Sequence, residues 1–90
     1  MVFEWDEEKN TINKKKHHVS FEHAVLVFED EYRYEEYDAA HSLDEDRYDV
    51  IGAVDDILFV VCTYKDNDVI RIISARKANS TERRKYYGNR

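Results

Sequence analysis

Two arginines in the run VIRIISARK, residues 69–77, have the type and spacing that first suggest chemistry in this chain. Arg71 stands between isoleucines, and burying an unpaired guanidinium is energetically costly. Either an internal carboxylate pairs with Arg71, or the surface around it is open and receives an anion from outside. Side chains alternate between the two faces of a strand, which places Arg71 and Arg76 on opposite faces unless a bulge intervenes.

A second basic group follows this run and consists of Arg83, Arg84 and Lys85. Residues 69–90 carry seven basic side chains against one acidic, whereas residues 1–68 carry seven basic and 19 acidic. Three tyrosines accompany the basic side chains: Tyr64, Tyr86 and Tyr87. Arginines and tyrosines together suit phosphate binding and the stacking of unpaired bases, and no recognition-helix motif for duplex DNA is present, so RNA is the favoured ligand. The acidic remainder would repel a long polyanion and therefore predicts a small site.

The other residues with possible chemistry form no recognisable motif. The four histidines show neither of the zinc-binding spacings H-x₃-H and H-E-x-x-H, so we expect no metal cofactor. Twenty acidic residues always offer some carboxylate pair, and that abundance alone does not indicate a hydrolase. Cys62, in the apolar run ILFVVCT, is predicted to be a buried small hydrophobe, and no Ser or Cys nucleophile motif is present.

Length and composition limit the class of protein. Ninety residues, 42% of them apolar and 38% charged, predict one folded domain over residues 1–90. The N-terminus has no signal-peptide pattern, and no apolar stretch approaches the roughly 18 residues that cross a bilayer. We therefore expect a cytoplasmic protein with no membrane partner. A domain this small has a thin margin of stability, which favours a stable protein partner.

Two N-terminal helices are predicted from their caps and apolar spacing. Asp6 has the type and position of an N-cap for a helix over residues 7–17, with acids in the first turn and lysines in the last. Ser20 has the same relation to a helix over residues 21–30, in which apolar residues recur at i, i+3, i+4 and i+7.

Three runs of β-branched and aromatic residues predict strands at 47–54, 57–65 and 69–77. The short polar turns between them predict an antiparallel meander. Shorter strands are expected in the opening run VFEW and around the tyrosines of residues 32–37, before an acidic loop. A last helix is predicted from near Asn79, with Glu82 at capping-box spacing and Gly88 as its stop. The fold class is therefore α+β: an antiparallel sheet packed against two N-terminal helices, with a C-terminal helix.

Three ordered blocks of the sequence resemble a known family. The blocks are FEWDEEKN…N…KH…VSFEHA, D…HS…EDRY…IG and VIRIISARKA…ERR…Y, and they extend from about Phe3 to Tyr86. In this order they resemble the BrnT toxins of bacterial type II toxin–antitoxin systems. The resemblance implies a RelE-like fold, metal-independent endoribonuclease activity that inhibits translation, and neutralisation by a BrnA-type ribbon–helix–helix antitoxin. It also implies that operator DNA is bound only through the antitoxin.

Two positions depart from the family pattern. The family usually has glycine where His18 follows Lys16 and His17, and a histidine in the left-handed conformation at a helix end costs about 1 kcal/mol. Lys65 stands where arginine is common, which keeps the charge and loses the bidentate fork. These departures leave open a folded, antitoxin-binding but inactive toxin.

Residue types and resemblance together give a hypothesis for catalysis. RNA cleavage without metal uses the 2′-hydroxyl as nucleophile and needs a proton acceptor, charge stabilisation on the phosphorane and a proton donor for the 5′-oxygen. Arg71 and Arg76 are expected around the phosphate. His17 is the expected acid or base, because the pKa of histidine lies near neutrality, with His41 in reserve. Tyr86 is expected to stack a base or donate a proton.

Two binding surfaces complete the hypothesis. The expected RNA-binding cations are Lys65, Lys77, Arg83 and Arg84. The expected antitoxin contacts, in the acidic segment 29–46, are Glu35, Glu36 and Asp38. The rival class of protein is a non-enzymatic adaptor whose basic end binds RNA or an acidic protein without cutting.

Overall fold

A five-stranded sheet forms the centre of the protein, seen in a computed structural model that describes residues 1–89. The strands are β1 (Val2–Glu4), β2 (Tyr34–Tyr37), β3 (Tyr48–Val54), β4 (Asp56–Lys65) and β5 (Val69–Lys77). Their order across the sheet is β1-β5-β4-β3-β2. Strands β2 to β5 form the predicted antiparallel arrangement, and β1 adds a parallel edge strand beside the first residues of β5.

Three α-helices surround the sheet. They are α1 (Glu7–His17), α2 (Phe21–Ala24) and α3 (Ser80–Gly88), and a 3₁₀ helix at Val25–Glu29 continues α2 directly. The predicted caps are present: Asp6 accepts from the main-chain N–H of Glu8 and Lys9, and Ser20 from that of His23. The predicted second helix is therefore helical over almost its whole length, but its second half tightens to 3₁₀ geometry.

The two sheet faces are covered unequally. On the helical face, Val50, Val60 and Ile72 pack with Phe21 and Val27 into the main core, and all five are essentially inaccessible to solvent. This burial supplies most of the stabilisation of the fold, at about 1.5–3 kcal/mol for each large apolar side chain.

The opposite face, which we call the α3 face, carries a smaller cluster of Ile51, Ile57 and Tyr86. The C-terminal helix thus packs on the face opposite α2, an arrangement that the α+β fold class alone leaves undetermined. Because α3 has only nine residues, it covers one end of this face and leaves the other end to the site described below.

A β-bulge in β5 sets which side chains reach the α3 face. Val61 of β4 is opposite Ser74, and the next residue, Cys62, is opposite Ile72, so Ile73 is an extra residue in β5. Arg71 is opposite Thr63 and Arg76 is opposite Phe59. Because Phe59 and Thr63 are an even number of residues apart on a regular strand, the bulge places both arginines on the α3 face.

The second half of β5 is also held in place by a side chain of α1. Strand β1 pairs only with Val69, Ile70 and Arg71, so the main chain beyond the bulge has no strand partner on that side. The buried side chain of Asn13 takes the place of that strand partner. Its Nδ2 donates to Ala75 O at 2.8 Å, and its Oδ1 accepts from Ala75 N at 3.2 Å. A carboxamide presents a donor and an acceptor, as a peptide group does, and so satisfies both polar atoms of Ala75.

Two glycines differ in importance. A Cβ at Gly52 would lie 2.8 Å from Val27 Cβ, so only glycine lets the 3₁₀ helix approach β3 this closely. Gly88, in contrast, is the last residue of α3 and has no positive φ, with Asn89 as the C-cap at φ −85°. The helix therefore ends at Gly88, where the stop was predicted, but it does so without a left-handed glycine. The predicted capping box between Asn79 and Glu82 is present.

His18 ends α1 in the left-handed conformation, with φ 60° and ψ 26°, and its N–H donates to Lys14 O at 2.9 Å. The conformation predicted for this position is confirmed. Since glycine adopts it without steric cost, we expect His18→Gly to raise the free energy of unfolding by about 1 kcal/mol. Urea unfolding measures this. Lys15→Gly, inside the same helix, should instead lower it by roughly 0.5–1 kcal/mol. A loss of stability in both variants would contradict the prediction.

Candidate functional site

A concave cavity of about 420 Å³ lies on the part of the α3 face that α3 leaves open. Its floor is formed by Phe59, Val61 and Ile73. Its polar lining residues are Asp38, His41, Arg47, Asp49, Ser74 and Arg76. We call it the sheet cavity. It brings together two guanidinium groups, an imidazole and two carboxyl groups from β3, β5 and the segment before β3.

Arg76 reaches the sheet cavity from β5. Its guanidinium lies over the ring of Phe59, 4.3 Å from the centroid, and binds Glu82 through two hydrogen bonds of 2.8 Å. The hydrogen bonds to Glu82 raise the pKa of Arg76. Burial acts to raise the pKa of Glu82, but the bonds from Arg76 and from Asn79 N–H outweigh it and leave that pKa lowered. The stacking and the bidentate pair fix the orientation of this guanidinium.

Arg47 supplies the second guanidinium. Its main chain is fixed because Arg47 N donates to Ser42 Oγ at 2.9 Å and Arg47 O accepts from Asp38 N at 2.9 Å. Within residues 1–89 its side chain has no ion pair and no hydrogen bond. This cation therefore has its donors available for an anion that enters the sheet cavity.

His41 and Asp38 form a carboxylate–imidazole pair at the rim. His41 Nδ1 lies 2.9 Å from Asp38 Oδ2, and Asp38 also accepts from His41 N at 3.2 Å. The imidazole is largely exposed, whereas only 16% of the Asp38 side chain is. Because the carboxylate occupies Nδ1, the ring keeps one orientation and Nε2 is the nitrogen left for another partner.

Asp49 is the least satisfied polar group of the site. It is the second residue of β3, opposite Glu36 of β2 and Val61 of β4, and its Oδ1 is buried with no hydrogen-bond partner among residues 1–89. Burial raises the pKa of Asp49 to about 6, and the negative charges of Asp38, Glu36 and Glu82 add to this effect. The positive charge of His41 opposes it.

His17 lies next to the sheet cavity and does not line it. It borders a smaller depression of about 210 Å³, which shares Ile73 and Ser74 with the sheet cavity and also contains Lys9 and Lys16. Burial lowers the pKa of His17, and the charges of Lys16 and Arg76 lower it further. The end of α1 thus extends the sheet cavity with a group of cations.

Arg71 and Lys65, two residues expected at the site, are paired elsewhere. Glu4 Oε2 lies 3.0 Å from Arg71 Nη1 and 3.2 Å from Lys65 Nζ, and both contacts lower the pKa of Glu4. Of the two alternatives for Arg71, the structure shows the internal carboxylate. The bulge places Arg71 on the same face as Arg76, but only Arg76 lines the sheet cavity.

The other predicted RNA-binding cations lie in α3 and at the end of β5. Arg83 and Lys77 are 3.0 Å and 3.8 Å from the carboxylate of Asp56, while Arg84 donates to Thr81 Oγ1 at 3.3 Å. None of the three lines the sheet cavity. They form a separate, partly neutralised group around the turn between β3 and β4.

Tyr86 is a core residue of the α3 face, with 4% of its surface exposed. Its hydroxyl donates to Asp30 Oδ2 at 2.5 Å, and the same oxygen accepts from Ala53 N at 2.9 Å. This contact joins α3, β3 and the end of the 3₁₀ helix. Tyr86 does not line the sheet cavity, and its predicted catalytic role stays a prediction.

The acidic residues predicted to bind an antitoxin also have partners within the chain. Glu35 accepts from Tyr64 Oη and from Arg33 Nε, and Glu36 pairs with Lys85 Nζ at 2.8 Å. Both glutamates lie on β2, an edge strand of the sheet, and remain exposed. The contacts of Asp38 lie instead within its own turn and with His41.

Sequence reasoning missed Arg47 and Asp49. Arg47 lies in the block EDRY that carries the family resemblance, which is the one signal that points to it. Asp49 gave no signal, because one aspartate among 20 acidic residues is not distinctive until the fold places it in the sheet cavity with its Oδ1 atom buried. Among residues 1–89 no group of three His, Cys, Asp or Glu side chains is arranged to hold a metal ion, and none of the described helices could cross a membrane.

The comparisons with known proteins point to a single family. A family model described as the ribonuclease toxin BrnT of type II toxin–antitoxin systems matches residues 5–82, which include every residue of the sheet cavity. The 1.1 Å crystal structure of the Brucella abortus ribonuclease toxin BrnT is similar in fold, with a TM-score of 0.63 at 22% identity. That likeness covers 89% of this chain and 100% of the Brucella chain. A search of curated proteins gave no match.

The environment of Asp49 predicts a pH-dependent cost to stability. Its pKa is about 6 in the folded protein against an ordinary 3.8, so the folded state binds the proton more tightly and stability falls as pH rises through this range. We expect Asp49→Asn to remove this fall. Its gain in unfolding free energy should be absent below pH 4 and reach about 1 kcal/mol above pH 6, allowing for partial exposure of the carboxylate. Urea unfolding across this range, with Asp66→Asn as the charge control, measures the effect. Equal gains at all pH values would contradict it.

Proposed function

Since this chain belongs to the BrnT family of ribonuclease toxins of type II toxin–antitoxin systems, we propose that it is an endoribonuclease that cleaves RNA in the sheet cavity. One observation carries the proposal. The sheet cavity holds two arginines and a histidine around an open volume of about 420 Å³, on a rigid sheet face. Cations for the phosphate and a group that transfers protons at neutral pH are what cleavage by the neighbouring 2′-hydroxyl requires.

The arginines would hold the scissile phosphate. Arg47 has no anionic partner among residues 1–89, so its guanidinium is the first candidate to contact the phosphate. Arg76 is bound by Glu82 through Nη1 and Nη2 and stacked on Phe59, so it would contact the phosphate with the donor hydrogens that remain. Two guanidinium groups, one fixed by its contacts and one with its donors available, can stabilise the additional charge that develops on a phosphorane. Charge stabilisation of this kind requires no metal ion.

His41 would transfer a proton in the reaction. The contact between Nδ1 and Asp38 orients the ring, and Nε2 is available to a substrate oxygen. An imidazole oriented by a carboxylate is a common arrangement for general acid–base catalysis. The role first expected for His17 thus falls to His41, the reserve candidate.

The depression beside the sheet cavity would bind the adjoining nucleotide. Lys9, Lys16 and His17 border it, and it meets the sheet cavity at Ile73 and Ser74. Basic side chains next to the reacting phosphate would bind the flanking phosphates of a single strand. On this proposal Arg71 and Tyr86 support the site from the sheet and its core, and the RNA-binding roles of Lys65, Lys77, Arg83 and Arg84 are secondary.

The biological function that follows is that of a translation inhibitor under antitoxin control. Cleavage of mRNA would stop protein synthesis, and a BrnA-type ribbon–helix–helix antitoxin would neutralise the toxin. Operator DNA would then be bound through the antitoxin and not by this chain, whose acidic N-terminal part repels duplex DNA.

The proposal predicts that the cavity arginines are essential. We expect Arg47→Ala and Arg76→Ala each to lower the rate of RNA cleavage by about 10²-fold or more and to abolish growth arrest on induction, because each removes a cation from the phosphate. The measurements are cleavage of total RNA and of a mixed-sequence oligoribonucleotide in vitro, and growth after induction.

Lys15→Ala is the matched control, since it removes one positive charge from an exposed position of α1 outside the site. It should leave cleavage and toxicity unchanged. If both arginine variants fold and remain as toxic as the parent, the site is misplaced. Binding of RNA without cleavage by the parent would favour the adaptor, and absence of both activities with antitoxin binding intact would indicate an inactive toxin.

The antitoxin surface can be tested separately at β2. We expect the double substitution Glu35→Gln with Glu36→Gln to weaken the complex with the BrnA-type antitoxin and to reduce the salt dependence of its Kd, because an acidic surface attracts a basic partner. Calorimetry at two salt concentrations measures both effects. The double variant Glu8→Gln with Asp66→Asn removes two charges elsewhere and should change neither. An unaltered Kd and salt slope for the β2 variant would exclude this surface.

A further inference from the structure

Asp49 has no structural role that explains a carboxyl group at its position. It lies near the start of β3, paired with a strand on either side, and lines the sheet cavity, yet no hydrogen bond or ion pair joins its side chain to any residue among 1–89. A buried acceptor without a partner costs about 1–3 kcal/mol of stability. Exceptions of this kind in an otherwise satisfied fold are concentrated at functional sites.

We propose, on the basis of the proposed ribonuclease function, that Asp49 is the general base that removes the proton from the 2′-hydroxyl of the scissile nucleotide. The carboxylate takes the proton as the 2′-oxygen forms its bond to phosphorus. The bond from phosphorus to the 5′-oxygen breaks, and His41 gives a proton to that oxygen. The products are a 2′,3′-cyclic phosphate and a 5′-hydroxyl, so one proton is accepted, one is donated and no metal or water is consumed.

The other carboxylates near the sheet cavity are already bound. Glu82 is held by Arg76 and by Asn79 N–H, and Asp38 by the main chain and ring of His41. Glu36 pairs with Lys85. A carboxylate that accepts strong hydrogen bonds is a weaker base, because the bonds stabilise its charged form. By this comparison Asp49 is the strongest carboxylate base at the site.

The surroundings of Asp49 favour proton abstraction near neutral pH. The charged and titratable groups that face it are Glu36, Asp38, His41, Arg47, Arg76, Glu82 and Lys85. Burial and the carboxylates raise its pKa to about 6. At pH 7 the group is therefore mostly ionised, and it is more basic than an ordinary aspartate. A base with a pKa just below the working pH combines the correct protonation state with a strong drive to accept a proton.

The first experiment measures stability and cleavage for the same substitution. Asp49→Asn keeps the shape of the side chain and removes the basic group. We expect it to lower the single-turnover rate on an oligoribonucleotide that the parent cleaves by about 10²- to 10⁴-fold, while RNA binding is kept or strengthened. The rise of the rate around pH 6 should disappear. Since this variant is expected to be more stable than the parent, a loss of rate does not reflect unfolding.

A substrate with a sulfur leaving group separates the base from the acid. In a 5′-bridging phosphorothiolate the leaving thiolate needs no protonation, so a variant that lacks the general acid regains most of its rate. We expect this substrate to restore cleavage by His41→Ala and not by Asp49→Asn. Rescue of Asp49→Asn would show that Asp49 is not the base. The same RNA with a 2′-deoxy sugar at the cleavage position should not be cut by any variant.

The two proposals fail in different ways. If the parent cleaves no RNA, the ribonuclease function itself is lost, whatever Asp49 does. If the parent cleaves and Asp49→Asn cleaves at the same rate with the same pH profile, only the role of Asp49 is wrong. If Asp49→Asn binds RNA more weakly in proportion to its loss of rate, the residue acts in binding and not as the base.

Discussion

The conformation of β5 after its bulge is the constraint on which the site depends. One extra residue, Ile73, reverses the alternation of side chains, so that Ala75 enters the core and Arg76 faces the sheet cavity. A bulge near the edge of a sheet leaves main-chain groups without ladder partners. Here the side chain of Asn13 satisfies the main-chain N–H and C=O of Ala75. The cavity arginine is thus positioned by a buried carboxamide on α1, a helix with little apolar surface. Asn10 supports that helix in the same way, because its Oδ1 accepts from Phe21 N and its Nδ2 donates to Glu7 and Glu22.

Basic residues are concentrated near the C-terminus and acidic residues in the rest of the chain, and ion pairs between the two parts account for most of this separation. The basic C-terminal segment meets acids from the rest of the chain, as when Arg71 binds Glu4 and Lys85 binds Glu36. Such exposed pairs contribute little to stability because solvent screens them, and their combined effect is to cancel the local fields that a polyanion would otherwise meet over a broad surface. Among residues 1–89, cations without a partner are then confined to a few positions, and Arg47 is the one that lines the sheet cavity. On the proposed function, the neutralised surroundings would restrict an anionic ligand to this small site.

The sequence predicted the elements of this fold better than it predicted the site. Caps at Asp6, Ser20 and Asn79 and the three long strands follow from local chemistry, whereas the left-handed His18 follows from the family resemblance, and all are present. The face on which each arginine lies was not predictable, because it depends on a bulge at Ile73 that only the register of the assembled sheet reveals. Arg71 and Arg76 look equivalent in the sequence, yet only Arg76 borders the sheet cavity. Asp49 could not be recognised at all, since its lack of hydrogen-bond partners is a property of the assembled sheet.

The short C-terminal helix accounts for the coexistence of a stable core and an open site on one sheet face. Tyr86 anchors α3 over Ile51 and Ile57, and its hydroxyl reaches Asp30, which also accepts from the main chain of β3. A longer α3 would bury the remaining apolar floor, including Val61, and would stabilise the fold by about 25 cal/mol per Å² of apolar surface removed from water. It would also fill the volume in which Arg47, Asp49 and Arg76 face one another. The uncovered floor and the unpaired carboxylate are both unfavourable for stability, and on the proposed function the first admits the ligand and the second reacts with it, which is the usual trade-off between stability and function.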